Sequence, residues 1–322
     1  MKKALALSTL LSLATIALSG CGGSGVKTIG VLQFGAFEAL EKAKNGFVET
    51  INASTWKDKV NIEVRSANAV AADNVAMAKT LAATSDLVYG IATPSASALK
   101  NAMDSLGYST PILFSAVTNP SGANLLTNLE KPEGRCTGVV DLGPIEKELE
   151  LLAKFEGVDK ITSMYTSTEV NSVYQAEIAE KWMDAHNIAH TRTTITSASE
   201  ITSALSSIPS DVDAVFLPTD DTIANSIGMI KSANEERTDK LIIAACDTGM
   251  VSGSTIAMGV DYYECGVQAG KMAIKVLEGT AISSIPVESC DKDALVINKT
   301  LATSLGITIP ESLLNEEGAK II

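Results

Sequence analysis

Short apolar runs that each end in a polar loop and then in residues at helical spacing recur along this chain, and that alternation constrains the fold more than any other feature. Its clearest instance is Leu87 to Leu99, LVYGIATPSASAL. The run from Leu87 to Ala92 is too short for a helix and too apolar for a surface segment, so it reads as a buried strand. Thr93-Pro94-Ser95 then supplies the start of a helix. Backbone N–H groups at such a start lack intrahelical partners and the helix dipole is positive there, so Thr93, Ser95 and Ser97 stand where a carboxylate is well held. The plainer role for either Thr93 or Ser95 is to cap the helix.

The same unit appears on both sides of this stretch. Ile29 to Leu32 leads into Gln33-Phe34-Gly35-Ala36-Phe37 and a helix through Leu40, Ala43 and Phe47; Val60 to Arg65 precedes a helix near Ala72 to Ala83; Pro111 to Phe114 leads into Ser115-Ala116-Val117-Thr118. Strands alternating with helices make a parallel, doubly wound sheet, and ligands of such sheets bind at the polar strand ends. The turn-rich stretch Asn128 to Gly138 breaks the pattern and is read as the first crossing between domains. A second series follows, with strand ends at Thr166 to Ser172, at Pro218-Thr219-Asp220-Asp221 and at Cys246-Asp247-Thr248-Gly249. Asp221 reads as the helix cap beside Asp220. The tail adds a strand ending in Asp261-Tyr262-Tyr263, a helix from Gly266 to Leu277 and a last short strand at Leu295 to Asn298. The length of 322 residues suits two such domains. The expected fold is therefore α/β, two doubly wound parallel-sheet lobes joined by a three-crossing hinge, with residues 28–137 plus 262–285 in the first lobe and 138–261 plus 286–322 in the second. Closure of the lobes around a ligand is the motion such a hinge allows.

Met1 to Gly20 carries Lys2 and Lys3, an apolar stretch from Ala4 to Leu18, and then Leu18-Ser19-Gly20-Cys21. The apolar part is too short to span a bilayer and reads as an export signal, residues 1–20. The small residues before Cys21 look like a bacterial lipoprotein cleavage box, with Cys21 as the lipid-bearing first residue and residues 21–27 as a tether. The protein is expected outside the cytoplasm, anchored to a membrane. Cys136, Cys246, Cys265 and Cys290 show no metal-ligand spacing, and an oxidising compartment favours at least one disulfide among them, whose pairing spacing does not decide. His186 and His190 stand four apart where a helix ends and a strand begins, and read as surface positions.

The formal charge of −13, or −15 once Lys2 and Lys3 leave with the leader, argues against a nucleic-acid groove or an electrostatic membrane patch. The chain also lacks a Gly-x-Ser-x-Gly elbow, a histidine beside a nucleophile and a metal-ligand cluster, which leaves only a carboxylate-based hydrolase among enzyme readings. No cofactor is expected.

Five stretches together resemble one family: Ile29-Gly-Val-Leu-Gln-Phe, Pro111-Ile-Leu-Phe-Ser-Ala-Val-Thr, Phe216-Leu-Pro-Thr-Asp-Asp-Thr-Ile, Gly259-Val-Asp-Tyr-Tyr-Glu-Cys-Gly, and Leu295-Val-Ile-Asn-Lys with Leu305-Gly-Ile-Thr-Ile-Pro. They are similar to the solute-binding lipoproteins of ABC importers, on the type I periplasmic-binding fold, in the branch that includes tryptophan-binding proteins. The resemblance implies ABC permease subunits as partners and a ligand held from both lobes. It carries the ligand contacts onto Gln33, Thr93, Ser95 and Ser115 of the first lobe and Asn171, Asp220 and Asp247 of the second, with Asp261 at the second crossing.

For an amino-acid ligand the first lobe offers hydroxyls and helix starts to a carboxylate, and the second offers Asp220, Asp221 and Asp247 to an ammonium. Aromatic residues are scarce, but Phe34, Phe37, Tyr165, Tyr262 and Tyr263 fall at strand ends or hinge loops; Phe34 and Tyr262 are the candidates for contact with an aromatic ring. A sugar or a nucleoside, bridged by Asp and Asn and stacked on the same aromatics, is the alternative ligand class.

Overall fold

Local pattern and element type agree along the described chain. The computed structural model describes residues 25–132 and 134–322; the export signal at 1–20, Cys21 and most of the tether lie outside the described residues. The first half runs β1 (Lys27–Gln33), α1 (Glu38–Asn52), β2 (Val60–Ser66), α2 (Ala71–Thr84), β3 (Leu87–Ile91), α3 (Thr93–Leu106), β4 (Ile112–Ser115) and β5 (Cys136–Val140). The second runs α4 (Ile145–Leu152), β6 (Lys160–Thr166), α5 (Val170–Ala185), β7 (Ala189–Ile195), α6 (Ile201–Ser206), β8 (Ala214–Leu217), α7 (Asp221–Asn225), α8 (Ile227–Glu236), β9 (Ile242–Ala245) and β10 (Ile256–Val260). The tail contains α9 (Tyr262–Leu277), β11 (Glu288–Ser289), β12 (Asp293–Ile297), α10 (Lys299–Leu305), α11 (Glu311–Leu314) and β13 (Ala319–Ile321).

Two sheets result, ordered β11-β5-β4-β3-β1-β2 and β13-β12-β10-β9-β8-β6-β7. Every pair is parallel except β10 with β12. Each sheet contains the same wound core, in which the first strand lies between the second and the third. The order therefore reverses between β1 and β3 in one lobe and between β6 and β8 in the other, and such switch points open crevices at the carboxyl ends of the strands.

Strands β3, β4, β8 and β10 are buried along their whole length because helices cover both faces. Residues of β3 divide by the period of two: Leu87, Tyr89 and Ile91 join the core under α1 and α9, while Val88 joins the core under α2 and α3. The Phe47 and Tyr89 rings stack with centroids 4.1 Å apart. The second sheet is packed in the same way on its two faces.

Two crossings lie elsewhere than the linker composition suggests. Residues 138–140 belong to β5, which pairs with β4 in the first sheet, so the chain leaves the first lobe at Asp141 and not at Gly138. The turn-rich stretch before it is an internal loop; Pro and Gly mark a change of direction without saying whether the chain changes domain. Residues 288–289 also stay with the first sheet, as β11 beside β5, which moves the third crossing to Cys290–Lys292. The second crossing is at Asp261, whose side chain caps α9 by accepting from Tyr263 N (3.0 Å) and Glu264 N (3.4 Å). That cap starts the helix at Tyr262, four residues before Gly266.

Helix α9 returns to the first lobe and packs along α1. A Cβ at Gly266 would overlap the Ala43 carbonyl, and one at Gly46 would overlap the Tyr263 carbonyl. Glycine at both positions lets the two backbones touch.

Candidate functional site

Both switch points open into one interlobe cavity. From the first lobe it is lined by Phe37, Ala39 and Leu40 at the start of α1, Thr93 at the start of α3, and Ala116 and Thr118 beyond β4; from the crossings come Asp141 and Tyr262. The second lobe contributes Asn171, Thr219, Asp220, Asp221, Ala224 and Asp247. The lobes meet here: Gln175 Nε2 of α5 donates to Thr118 Oγ1 across the cleft at 3.4 Å. Free room is about 10 Å3, enough for roughly one water, so an organic ligand enters only when the lobes separate or side chains move.

The loops on the first-lobe side are strained. Ala92 has φ 78° and ψ 153°, a conformation that L residues rarely adopt, and Ala116 has φ 54°. Strain of this kind persists where surrounding structure holds it, often at binding sites. At Ala92 it turns the chain sharply into α3, and the hydroxyl of Thr93 ends buried with no hydrogen-bond partner.

The acids differ in their partners. Asp220 is committed to structure: its carboxylate accepts from Thr166 N (2.7 Å), Thr166 Oγ1 (2.9 Å) and Ile223 N (2.9 Å), capping α7. The cap is thus Asp220 and not Asp221, which is the first residue inside the helix and lines the cavity. The cause is the extended backbone at Asp220, φ −139°, which turns its carboxylate onto the free N–H groups of α7. Burial and the neighbouring acids Glu169, Asp220, Asp141 and Asp247 hold Asp221 well above the usual carboxylate range. Asp247 accepts from Gly249 N at 2.7 Å, and burial pushes it up to about 6. Asp141 accepts from Thr118 Oγ1 (2.9 Å) and from the Tyr262 hydroxyl (3.1 Å), and burial raises it to about 6 as well. No Lys, Arg or His is among the lining residues. Besides the committed Asp220, three buried carboxylates around one cavity without a cation make a seat for positive charge.

Of the residues expected from sequence, Thr93, Asn171, Asp220, Asp247 and Tyr262 line this cavity and five do not. Gln33 is buried beside it, donating to the Gly35 carbonyl and to Glu41 Oε1, both at 2.7 Å. Phe34 packs on the first-lobe core and lines a neighbouring opening between Asn74 and Pro94 on one lobe and Glu169 and Thr222 on the other. Ser95 donates to Asn74 Oδ1 at 3.0 Å, Ser115 bonds the Tyr89 hydroxyl inside the core, and Asp261 is spent on its cap. These hydroxyls and amides follow strands as Thr93 does, but their side chains point inward to satisfy buried groups.

Asp221 and Phe37, read from sequence as part of an acidic wall and as an aromatic at a strand end, also line the cavity; sequence reasoning missed Asp141, Thr118, and Ala39 and Leu40 in the first turn of α1. Asp141 directly follows the apolar strand end Val139-Val140, which is the same strand-end signal that marked the other aspartates. It was hidden by the misplaced first crossing.

The comparisons with known proteins agree with this geometry. Residues 28–321 match the family model described as ABC transporter substrate binding protein. A tyrosine-binding protein of Clostridioides difficile is 35% identical over 285 residues, covering 87% of this chain and 81% of that one. A crystal structure of an ABC domain from Streptococcus pneumoniae in complex with L-Trp is 34% identical, covers 91% of this chain and all of that one, and superposes with a TM-score of 0.83. A Clostridium difficile substrate-binding protein with adhesive properties, solved ligand-free and open, is 29% identical over 92% of this chain and 99% of its own, with a TM-score of 0.71. Two wound lobes, a cavity walled by both at their switch points and a family match over nearly the whole described chain converge on one assignment. The chain belongs to the ABC transporter substrate-binding proteins, which work outside the cytoplasm and hold a small molecule for a transporter rather than transform it as enzymes do.

Proposed function

We propose that this protein binds an aromatic amino acid in the interlobe cavity and delivers it to the permease of an ABC importer. The observation that carries the reading is the triad Asp141, Asp221 and Asp247, three buried carboxylates with no cation among the lining residues. An α-ammonium supplies the missing charge. The unpartnered Thr93 hydroxyl and the start of α1 suit the α-carboxylate, by hydrogen bonds and the positive end of a helix dipole. Phe37, Leu40 and Tyr262 offer the apolar and aromatic surface for a ring. Relatives that bind tyrosine or carry L-Trp support the ligand class.

Calorimetric titration of tryptophan, tyrosine and phenylalanine, beside a sugar and nucleoside panel, tests it. At least one aromatic amino acid binds, and its analogue lacking the amino group binds at least tenfold more weakly. Asp247→Asn lowers affinity by about one to two orders of magnitude, since a hydrogen bond to a charged group contributes roughly 1.5 to 3 kcal/mol. No binding of any aromatic amino acid, or undiminished binding by a folded Asp247→Asn protein, overturns the reading; binding of a sugar or nucleoside instead identifies the other ligand class.

We further propose that Cys21 carries the lipid anchor, on the strength of the Leu-Ser-Gly-Cys box after a short apolar core. Fatty-acid labelling that persists in a Cys21→Ser protein would refute it.

A further inference from the structure

Two of the four described cysteines meet at the hinge. Cys265 is buried in the first turn of α9, and its backbone N–H donates to the Asp261 carbonyl at 3.0 Å. Cys290 begins the third crossing, and its Sγ donates to that same carbonyl at 3.4 Å. One acceptor thus holds both residues. Cys290 also packs against the apolar cluster that contains Cys265. The crossings they belong to are already joined, because Asp261 N donates to the Lys292 carbonyl at 2.8 Å.

We propose that Cys265 and Cys290 form a redox-active dithiol that closes to a disulfide across the hinge, by exchange with a small-molecule or protein disulfide outside the cytoplasm. Cys290 is the attacking thiol: it is half-buried and within reach of solvent, and its interaction with Cys265 holds it below the ordinary thiol range. Its thiolate forms a bond to one sulfur of the donor disulfide. The donor S–S bond breaks, and the other half leaves as a thiolate that takes up a proton. Cys265, buried and raised by that burial, is the resolving thiol. It gives up its proton, attacks Cys290 Sγ and releases the second half of the donor as a thiol. Two protein thiols are oxidised and one disulfide is reduced, so electrons balance without a further oxidant. Cys136 lies in β5 under the other core, and the Cys246 thiol donates to Glu148 Oε2 at 2.8 Å, so neither competes for Cys290.

A bond between these sulfurs staples the start of α9 to the third crossing and joins two of the three connections on which the lobes turn. It removes conformations from the unfolded chain and stiffens the hinge. Neither effect depends on the ligand.

The test uses the full-length protein purified in detergent, reduced, then incubated with oxidised glutathione, alkylated under denaturing conditions, digested and analysed by mass spectrometry. Expected are a peptide pair joined through Cys265 and Cys290, two alkylated thiols at Cys136 and Cys246, and a Tm higher by roughly 5–10 °C. Dithiothreitol reverses both changes, and neither Cys265→Ser nor Cys290→Ser shows them. Should Cys265→Ser fold poorly, Cys290→Ala, at a half-buried position, carries the same comparison. Alkylation of all four thiols after oxidation, glutathione retained on Cys290, or a bridge between any other pair overturns the proposal.

Discussion

At Leu217 to Asp221 the chain leaves a fully buried strand and places two carboxylates on consecutive residues, and their surroundings separate their roles. Asp220 receives three hydrogen bonds from Thr166 and Ile223, whereas Asp221 turns to the cavity among other acids. Asp220→Ala is therefore expected to lose about 2 kcal/mol or more of stability in urea unfolding, through the lost cap and the unpaired Thr166 groups. Asp221→Asn leaves stability unchanged or raised and weakens ligand binding in calorimetry. A second residue-scale case lies beneath the site. Glu148 is fully buried, accepts from the Cys246 thiol with one oxygen, has no partner for the other, and is pushed by burial up to about 8. The native protein then holds a proton that the unfolded chain, with its carboxyl at 4.5, releases, so this group's contribution falls as pH rises from about 4.5 to 8. Glu148→Gln removes that loss: its stability relative to the parent rises by roughly 5 kcal/mol between about pH 4 and pH 9.

Among the elements, α9 carries the most constraints. Its cap sits on the second crossing, its first turn supplies Tyr262 to the site and Cys265 to the hinge, and its body lies against α1 with no space for a side chain at Gly266. Gly266→Ala forces the helices apart and is expected to cost about 1–3 kcal/mol in denaturant unfolding, despite the better helix propensity of alanine. Gly228→Ala is the internal control. It lies in α8, where a Cβ meets nothing within 4 Å, and should be neutral or stabilising by up to about 1 kcal/mol. Because α1 also opens onto the cavity, the Gly266 variant should weaken ligand binding as well.

For the whole molecule, closure draws the carboxylates of both lobes and the crossings out of water without a cation to match. Asp141 and Asp247 stand at about 6 against 3.8 in an exposed chain. With the folded value raised, the native state binds more protons than the unfolded state between about pH 4 and 6, and stability falls as pH rises through that window, by about 3 kcal/mol for each group. The ammonium of the ligand proposed above binds the ionised carboxylates and offsets this loss. Affinity for the amino acid should therefore weaken about tenfold from pH 7 to pH 5 for each carboxylate that must be ionised. The Tm increase produced by saturating ligand should be larger at pH 7 than at pH 5, and scanning calorimetry at both values checks it.

The alternation of apolar runs and helical spacing determined by itself that this is a wound α/β chain in two similar halves, because strand burial on both faces and helix periodicity are written into neighbouring residues. It also marked Thr93, Asn171, Asp247 and Tyr262 as lining candidates, since a strand end in such a sheet opens onto the crevice. Which polar side chain at each strand end faces that crevice was decided only by the tertiary structure. Asp220 lines the cavity but spends its carboxylate on the free N–H groups that α7 brings it, Ser115 turns inward because Tyr89 lies across from it, and Asp141 reaches the cavity because Thr118 and Tyr262 hold it there. The partners in each case are 3 to 121 residues away in the chain, and their approach depends on how the helices and crossings pack.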